Sequence, residues 1–327
     1  MSVKTKKKGA ITHPHYACAI GSVYSVTAIE GAVPIVDCGP GCSDQQYFAL
    51  SFCNGYQGSS AAGGGDIPGT NSGENEIVFG SAKKLDGVIK STLKLMNGDL
   101  FVVLTGCSPE LVGDNVPSIV KKYRDEGYPV VHAPVPGFKG NNLFGHEVVV
   151  KSIIDQYVGD VKVRKKRRLL NLWFEAPYFN TFWRGDYEEL VRILRGAGFE
   201  VNVLFGSESG GADEWKEIPK ASFNLIVSPW LGLDVAKYLE EKYNQPYIHF
   251  PIIPIGEEAT TDFIRKIVKF AGIDSEKSEK FIESESKKYY YYLEQFSDFF
   301  AEYWFGFPSR FAVVSDAAYN LAFTKFL

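Results

Sequence analysis

The stretch from Ala32 to Cys42 constrains the chain most tightly. Ala32-Val33-Pro34-Ile35-Val36 is a short apolar run, preceded by Gly31 and closed by Gly39-Pro40-Gly41. A run of that length between glycine and proline punctuation predicts a buried strand that stops in a tight turn. The turn carries Cys38 and Cys42. A second apolar run, Leu100 to Leu104, ends in Thr105-Gly106-Cys107, and Cys18 stands just ahead of a helical stretch that opens at Ala19. If the two strands are parallel neighbours, their C-terminal ends share one edge of a sheet, where open α/β folds place their sites. Three thiols on one edge point to a soft metal or an iron–sulfur cluster.

The rest of the chain supports that architecture. Helices are expected over 19–29, 43–52 and 82–97, the last with Leu85, Val88, Ile89, Leu93 and Met96 on one face. A strand over 100–105 leads into a helix from Ser108 to Arg124, with Ser108 as its cap, Pro109 at its first position, and Glu110 and Asp114 one turn apart. A strand over 128–133 and a helix over 143–157 complete a first α/β unit. The Gly-rich stretch 54–75 has no periodic pattern and reads as a functional or mobile loop. After the basic stretch Lys162 to Arg168 the alternation restarts: strands over 168–174, 199–205, 223–228 and 246–250, helices over 185–197, 212–220, 231–243 and 258–271. A long helix over 275–305 carries Tyr289 to Tyr292, Phe296 and further aromatics, a face suited to a neighbouring domain or subunit. A strand over 310–316 and a helix over 318–326 end the chain. The fold class is therefore α/β, built of repeated Rossmann-like parallel-sheet units. The divisions fall at 1–163, 164–274 and 275–327, the last being the opening of a third unit.

Composition closes off several functions. With 45% hydrophobic and 23% charged residues the chain is globular rather than disordered. A net charge of −4 gives no nucleic-acid signature, and the Lys6-Lys7-Lys8 run is a solvated tail. No run approaches the roughly 20 apolar residues of a spanning helix, and no secretory h-region opens the chain, so the expected setting is cytoplasmic, away from membranes. In a reducing compartment clustered cysteines lean to metal or redox work. All five, Cys18, Cys38, Cys42, Cys53 and Cys107, fall in the first third. Cys53, at a helix end, reads as a packing residue. The loop 54–75 lacks the Gly-Lys-Ser/Thr of a phosphate loop, so it is not expected to bind a nucleotide phosphate. Ser59 and Ser60 offer oxygen to a cluster at most weakly. Of the five histidines, His13 and His15 precede Cys18, His132 closes a strand and is placed to face a cleft, and His146 and His249 read as structural.

The chain resembles the nitrogenase component 1 family, which includes nitrogenase-like oxidoreductases. The resemblance rests on Cys18-Ala19 with Gly21, Gly39-Pro40-Gly41-Cys42, Glu76 to Gly80 ahead of Lys83-Lys84-Leu85, Thr105 to Asp114, Pro136 to Asn141, Pro254-Ile255-Gly256 followed by Thr260-Thr261-Asp262, and the stretch Phe311 to Ser315. It covers nearly the whole chain up to the start of the family's third domain. It implies three Rossmann-like domains and paired subunits. It also implies an iron–sulfur cluster, 4Fe-4S or larger and P-cluster-like, held near the subunit interface by the cysteines matching Cys18, Cys42 and Cys107. The implied function is a nitrogenase-like oxidoreductase subunit that relays low-potential electrons from an ATP-dependent iron-protein reductase to a substrate or metallocofactor. Three thiolates are one short of the four that usually hold a cubane. The fourth ligand is open between a homo- or hetero-oligomeric partner chain, Cys38, Cys53 and the carboxylate of Asp37. Two other functions remain open: a non-catalytic scaffold for cluster assembly and transfer, and a metal-free small-ligand module.

Overall fold

A computed structural model describes residues 17–53, 67–180, 182–303 and 310–327. The first unit is a three-stranded parallel sheet in the order β1-β2-β3, formed by Ala32–Asp37, Leu100–Thr105 and Val130–Pro134. Asp37 pairs with Thr105 in register, and Thr105 with Pro134, so all three strands run out at the same edge. The strands are buried on both faces, which accounts for their unbroken apolar sequence. Val33, Ile35, Phe101 and Val103 pack on one face against α4 (Ala82–Leu95) and α6 (Val116–Asp125). Val36, Val102, Leu104 and Ala133 face the other way, toward a 3₁₀ turn (Ala19–Ser22), α1 (Val23–Thr27) and α7 (Asn142–Ile153). Two further helices, α2 (Pro40–Cys53) and α5 (Cys107–Val112), start directly after β1 and β2, and α3 (Glu74–Phe79) precedes α4.

The second unit is a four-stranded parallel sheet in the order β5-β4-β6-β7, from Glu200–Asn202, Lys166–Trp173, Ala221–Val227 and Tyr247–Phe250. Its register is pinned by buried amides. Asn202 donates to Asn171, which donates at 2.9 Å to Asn224, and the three are in-register partners across the sheet. One face packs on α8 (Trp183–Gly196) and α10 (Glu257–Ala271). The other, through Trp173 and Ile226, joins α9 (Leu233–Tyr243) in the same core as the first unit's α1 and α7. The two sheets thus share a hydrophobic core. Ile282 of α11 (Glu276–Tyr303) and Ala318 and Ala322 of α12 (Ala317–Phe326) dock on the second unit's outer face.

Several expectations need correction. The helix expected from Ser108 to Arg124 is two helices, because Gly113 adopts φ +81° and ends α5 at Val112. Glu110 and Asp114 consequently do not share a helical face. Gly106, not Ser108, is the N-cap residue. No strand forms over 310–316 among the described residues; the segment meets the fold through a hydrogen bond from Asn320 to the Val313 carbonyl. The strand expected over 199–205 is only three residues long. Residues 54–66 of the glycine-rich loop lie outside the described residues, as do His13, His15, Ser59, Ser60 and the Lys6-Lys7-Lys8 run. The loop's last residues, 67–72, run beside β1, where Val36 bridges Gly69. Among the described residues no helix is long and apolar enough to cross a membrane.

Cys18 is positioned by close packing of the 3₁₀ turn on α7. A Cβ on Gly145 would stand 2.2 Å from the Ala19 carbonyl oxygen and 3.0 Å from the Ser22 Cβ. Gly145→Ala is therefore expected to cost about 1–3 kcal/mol of unfolding free energy in urea melts. Gly87→Ala, in α4 with nothing within 4 Å of the added carbon, should be neutral or stabilise by up to about 1 kcal/mol.

Candidate metal centre

The loops that follow β1, β2 and β3 converge at the shared edge. Gly106 N–H donates to the Asp37 carbonyl at 2.9 Å, and Val135 N–H to the Thr105 carbonyl at 2.9 Å. A Cβ on Gly106 would stand 2.7 Å from the Cys38 Cβ, so only glycine allows the two loops this approach. Cys42 is the third residue of α2 and Cys107 the first of α5. Cys18 precedes the 3₁₀ turn and is tied to the loop after β3 by an antiparallel bridge to Asn141 and by the Asn142 N–H to Ala17 carbonyl bond of 2.9 Å. Asn141 is itself fixed, its side chain accepting from the N–H groups of Leu143 and Phe144 at the start of α7.

Gly137 lies between two of these thiols, Cys18 and Cys107. Its N–H donates to Cys107 Sγ at 3.2 Å, and a Cβ there would stand 3.2 Å from Cys18 Sγ and 3.6 Å from Cys107 Sγ. Burial pushes the Cys18 thiol up, and negative charge on Cys42 and Cys107 pushes it further, which marks the three sulfurs as electrostatic neighbours. Cys42 is held below the usual thiol range by a hydrogen bond from Cys38, and its place in the first turn of a helix favours the thiolate as well. Cys38, 1% exposed, lies in the core beneath it; the bond to Cys42 and burial both hold it in the thiol form. Cys53 is the last residue of α2, and its side chain lies outside the described residues.

Among the described residues no three His, Cys, Asp or Glu groups come close enough to hold one metal ion. A single ion needs every sulfur within about 2.3 Å of one point. A cluster does not, because each thiolate takes a different iron. The donor set is two cysteines, Cys18 and Cys107, beside the backbone left bare by Gly137, with Cys42 near enough to act electrostatically on Cys18. It fits the wider group and not the single ion.

The remaining candidates stand elsewhere. Strand alternation turns Asp37 to the opposite face from Cys38, where its carboxylate accepts from Thr70 at 3.0 Å and Ser81 at 3.1 Å. Burial raises that carboxyl to about 6, those two donors oppose the rise and Asp114 adds to it. Asp37 is thus not turned toward the sulfurs. Asp114 accepts from the Ser81 hydroxyl and N–H, locking the start of α4 to the end of α5. Glu110 pairs with Lys139 at 2.8 Å across the mouth of the loop. His132 faces no cleft: it is buried, bonded to Thr105 Oγ1 at 2.8 Å, and lowered to about 4 chiefly by burial. His146 is likewise buried, bonded to Ser25, and lowered to about 4. His249 bonds the Ser228 carbonyl. Gly137 falls within the Pro136 to Asn141 motif, but its part as the bare wall between two sulfurs has no signal of its own in the sequence. Large apolar side chains are exposed on the elements near this edge: Phe79 of α3 is 85% exposed and Leu111 of α5 75%, and Ile77, Val78 and Phe138 are exposed too.

The sequence profile of the Nitrogenase component 1 type Oxidoreductase family matches residues 17–327. The nitrogenase vanadium-iron protein beta chain of Trichormus variabilis is 22% identical over 83% of this chain and 61% of its own length. The nitrogenase molybdenum-iron protein beta chain of Methanococcus maripaludis is 26% identical over 84% of this chain and 63% of its own. One subunit of the light-independent protochlorophyllide reductase of Crocosphaera subtropica is 30% identical over 59% of this chain and 39% of its own. Among solved structures, nitrogenase Cp1 at pH 6.5 superposes with a TM-score of 0.70 at 22% identity, covering 88% of this chain and 56% of that one. The chain thus spans about three fifths of the length of the nitrogenase beta chains it matches.

The Cys38–Cys42 pairing has a measurable consequence. In folded, metal-free protein, iodoacetamide should modify Cys42 with a pH midpoint well below that of an ordinary thiol and leave Cys38 unmodified. Cys38→Ala should move the Cys42 midpoint up, as read by peptide mass spectrometry.

Proposed function

The chain belongs to the nitrogenase component 1 type oxidoreductase family, and on that premise we propose that it is the iron–sulfur subunit of a nitrogenase-like, ATP-dependent reductase. One observation carries the reading: Cys18 and Cys107 flank the bare backbone of Gly137 at one sheet edge, and Cys42 lies close enough for its charge to act on Cys18. Cys18, Cys42 and Cys107 would be the ligands. A bound cluster supplies one-electron transfer at low potential. The protein's own contribution is to present a sulfur already inclined to the thiolate at Cys42, and to donate the Gly137 N–H to Cys107 Sγ. Such a bond withdraws charge from the sulfur and tunes the potential.

Cys38 serves in this reading as the group that positions Cys42 rather than as a ligand, since it is buried beneath it. The missing fourth ligand then comes from a component 1-like partner chain, identical or not. The exposed apolar side chains of α3, α5 and Phe138 support such a partner. Electrons would enter from an iron-protein reductase that hydrolyses ATP, since this chain carries no phosphate loop of its own. We divide the chain functionally as 1–163 for the cluster, 164–274 for the facing unit, and 275–327 for elements that dock on that unit.

The test is anaerobic reconstitution followed by iron and acid-labile sulfide analysis. The 327-residue chain is expected to hold both in fixed ratio, and Cys18→Ala, Cys42→Ala and Cys107→Ala each to lose most of them. Cys53→Ala should retain them. Retention by all three single variants would contradict the ligand assignment.

A further inference from the structure

Cys38 and Cys42 are free thiols separated only by Gly39-Pro40-Gly41. Both are tied to one carbonyl. The Cys38 thiol donates to the Gly39 oxygen at 3.4 Å, and the Cys42 N–H donates to the same oxygen at 3.2 Å. The chain therefore turns back on itself between the two cysteines, and the Cys38 thiol is also in hydrogen-bond contact with the Cys42 sulfur. A disulfide spans Cα atoms about 4.4–6.8 Å apart, a separation that one tight turn supplies.

The two thiols differ in what surrounds them. Cys38 is buried, and its Cβ is seated against the loop after β2, where a Cβ on Gly106 would stand 2.7 Å away. Cys42 is partly exposed in the first turn of α2. The link between them is loosely packed: a Cβ on Gly41 would meet nothing within 4 Å, and one on Gly39 only the Ser72 carbonyl at 3.7 Å. Cys42 can thus close onto a Cys38 that stays in place. An oxidant reaches the Cys42 sulfur first, and Cys38 only through it. A cysteine that merely filled the core would need no contact with a second sulfur. Cys18 and Cys107 are disposed about Gly137 instead.

We propose that Cys38 is the resolving thiol of Cys42, and that in the cluster-free chain the two form a reversible disulfide under hydroperoxide. In the first step the Cys42 thiol takes one oxygen from hydrogen peroxide and becomes a sulfenic acid, and one water leaves. In the second the Cys38 sulfur attacks the Cys42 sulfur. The S–S bond forms, the S–OH bond breaks, and the hydroxyl departs as a second water with the Cys38 proton. Two thiols lose two electrons and two protons, and the peroxide is reduced to two waters. A dithiol reverses the bond by exchange. The disulfide stands without the cluster reading. Its effect on loading rests on the ligand role proposed for Cys42: a sulfur bonded to Cys38 is withheld from iron, and is spared irreversible oxidation.

The experiment uses the metal-free 327-residue chain, reduced and then treated with a slight excess of hydrogen peroxide. Thiols counted in denaturant should fall from five to three and return to five with dithiothreitol. Chymotrypsin cuts after Tyr24 and Tyr47, and the peptide between them holds Cys38 and Cys42 and no other cysteine. That peptide should be lighter by two hydrogens and resist iodoacetamide until reduced. In Cys38→Ala the same treatment should carry Cys42 on to sulfinic or sulfonic acid, which dithiothreitol does not recover. Should that variant fail to fold, the peptide map of the unsubstituted chain decides alone. A bond from Cys42 to Cys18 or Cys107, an over-oxidised Cys42 beside a free Cys38, or an unchanged thiol count would each overturn the proposal. Iron and sulfide offered without added thiol should load the reduced chain and not the oxidised one. A reduced chain that fails to load would count against the cluster ligands and leave the disulfide result standing.

Discussion

The structure depends on the parallel register of β1, β2 and β3. With Asp37, Thr105 and Pro134 in line, the chain must turn three times at one edge, and each turn delivers a group that matters there. Cys38 and Cys42 follow the first, Cys107 the second, Gly137 the third. The approach of these loops is limited by Cβ atoms, and glycine removes that limit at Gly106 and Gly137. Cys18 reaches the same place by a different route, held through the bridge to Asn141 and the close seat of its 3₁₀ turn on Gly145. A displacement of α7 would therefore move a thiol that lies well over a hundred residues away in sequence.

Electrostatics divides the edge by strand alternation. On the α7 face the thiols gather, with Cys38 buried as a donor and Cys42 inclined to ionise. On the α4 and α6 face the carboxyl groups gather: Asp37 and Asp114 share the single hydroxyl proton of Ser81. One hydroxyl cannot donate to two carboxylates at once; Asp37 is raised chiefly by burial, and the neighbouring Asp114 adds to the rise. The sheet keeps these acids apart from the sulfurs, where further negative charge would oppose thiolate ligation.

Much of this was legible in the sequence because the decisive signals are local. Short apolar runs that end in Gly-Cys or Gly-Pro-Gly-Cys determine a strand, its end and a thiol together, and the periodicity of Leu85, Val88 and Ile89 determines the face of α4. What was not legible depended on partners distant in sequence. Glu110 and Asp114 have helical spacing, but Gly113 takes a left-handed conformation and separates them. His132 has the position of a cleft residue, yet in-register neighbours bury it against Thr105. Asp37 sits beside Cys38, and only the pleat of a strand held in register reveals that it faces away. The stretch after Arg310 has strand composition but no ladder to join among the described residues.

The central claim is that three thiols at one edge hold one multinuclear iron–sulfur group. The most direct measurement is electron paramagnetic resonance on the anaerobically reconstituted, dithionite-reduced chain. A signal from a coupled cluster that accounts for the bound iron, and is altered when the Gly137 N–H bond to Cys107 is perturbed by Gly137→Ala, is the predicted result. A folded protein that shows only isolated iron, or no reducible centre, would contradict the account.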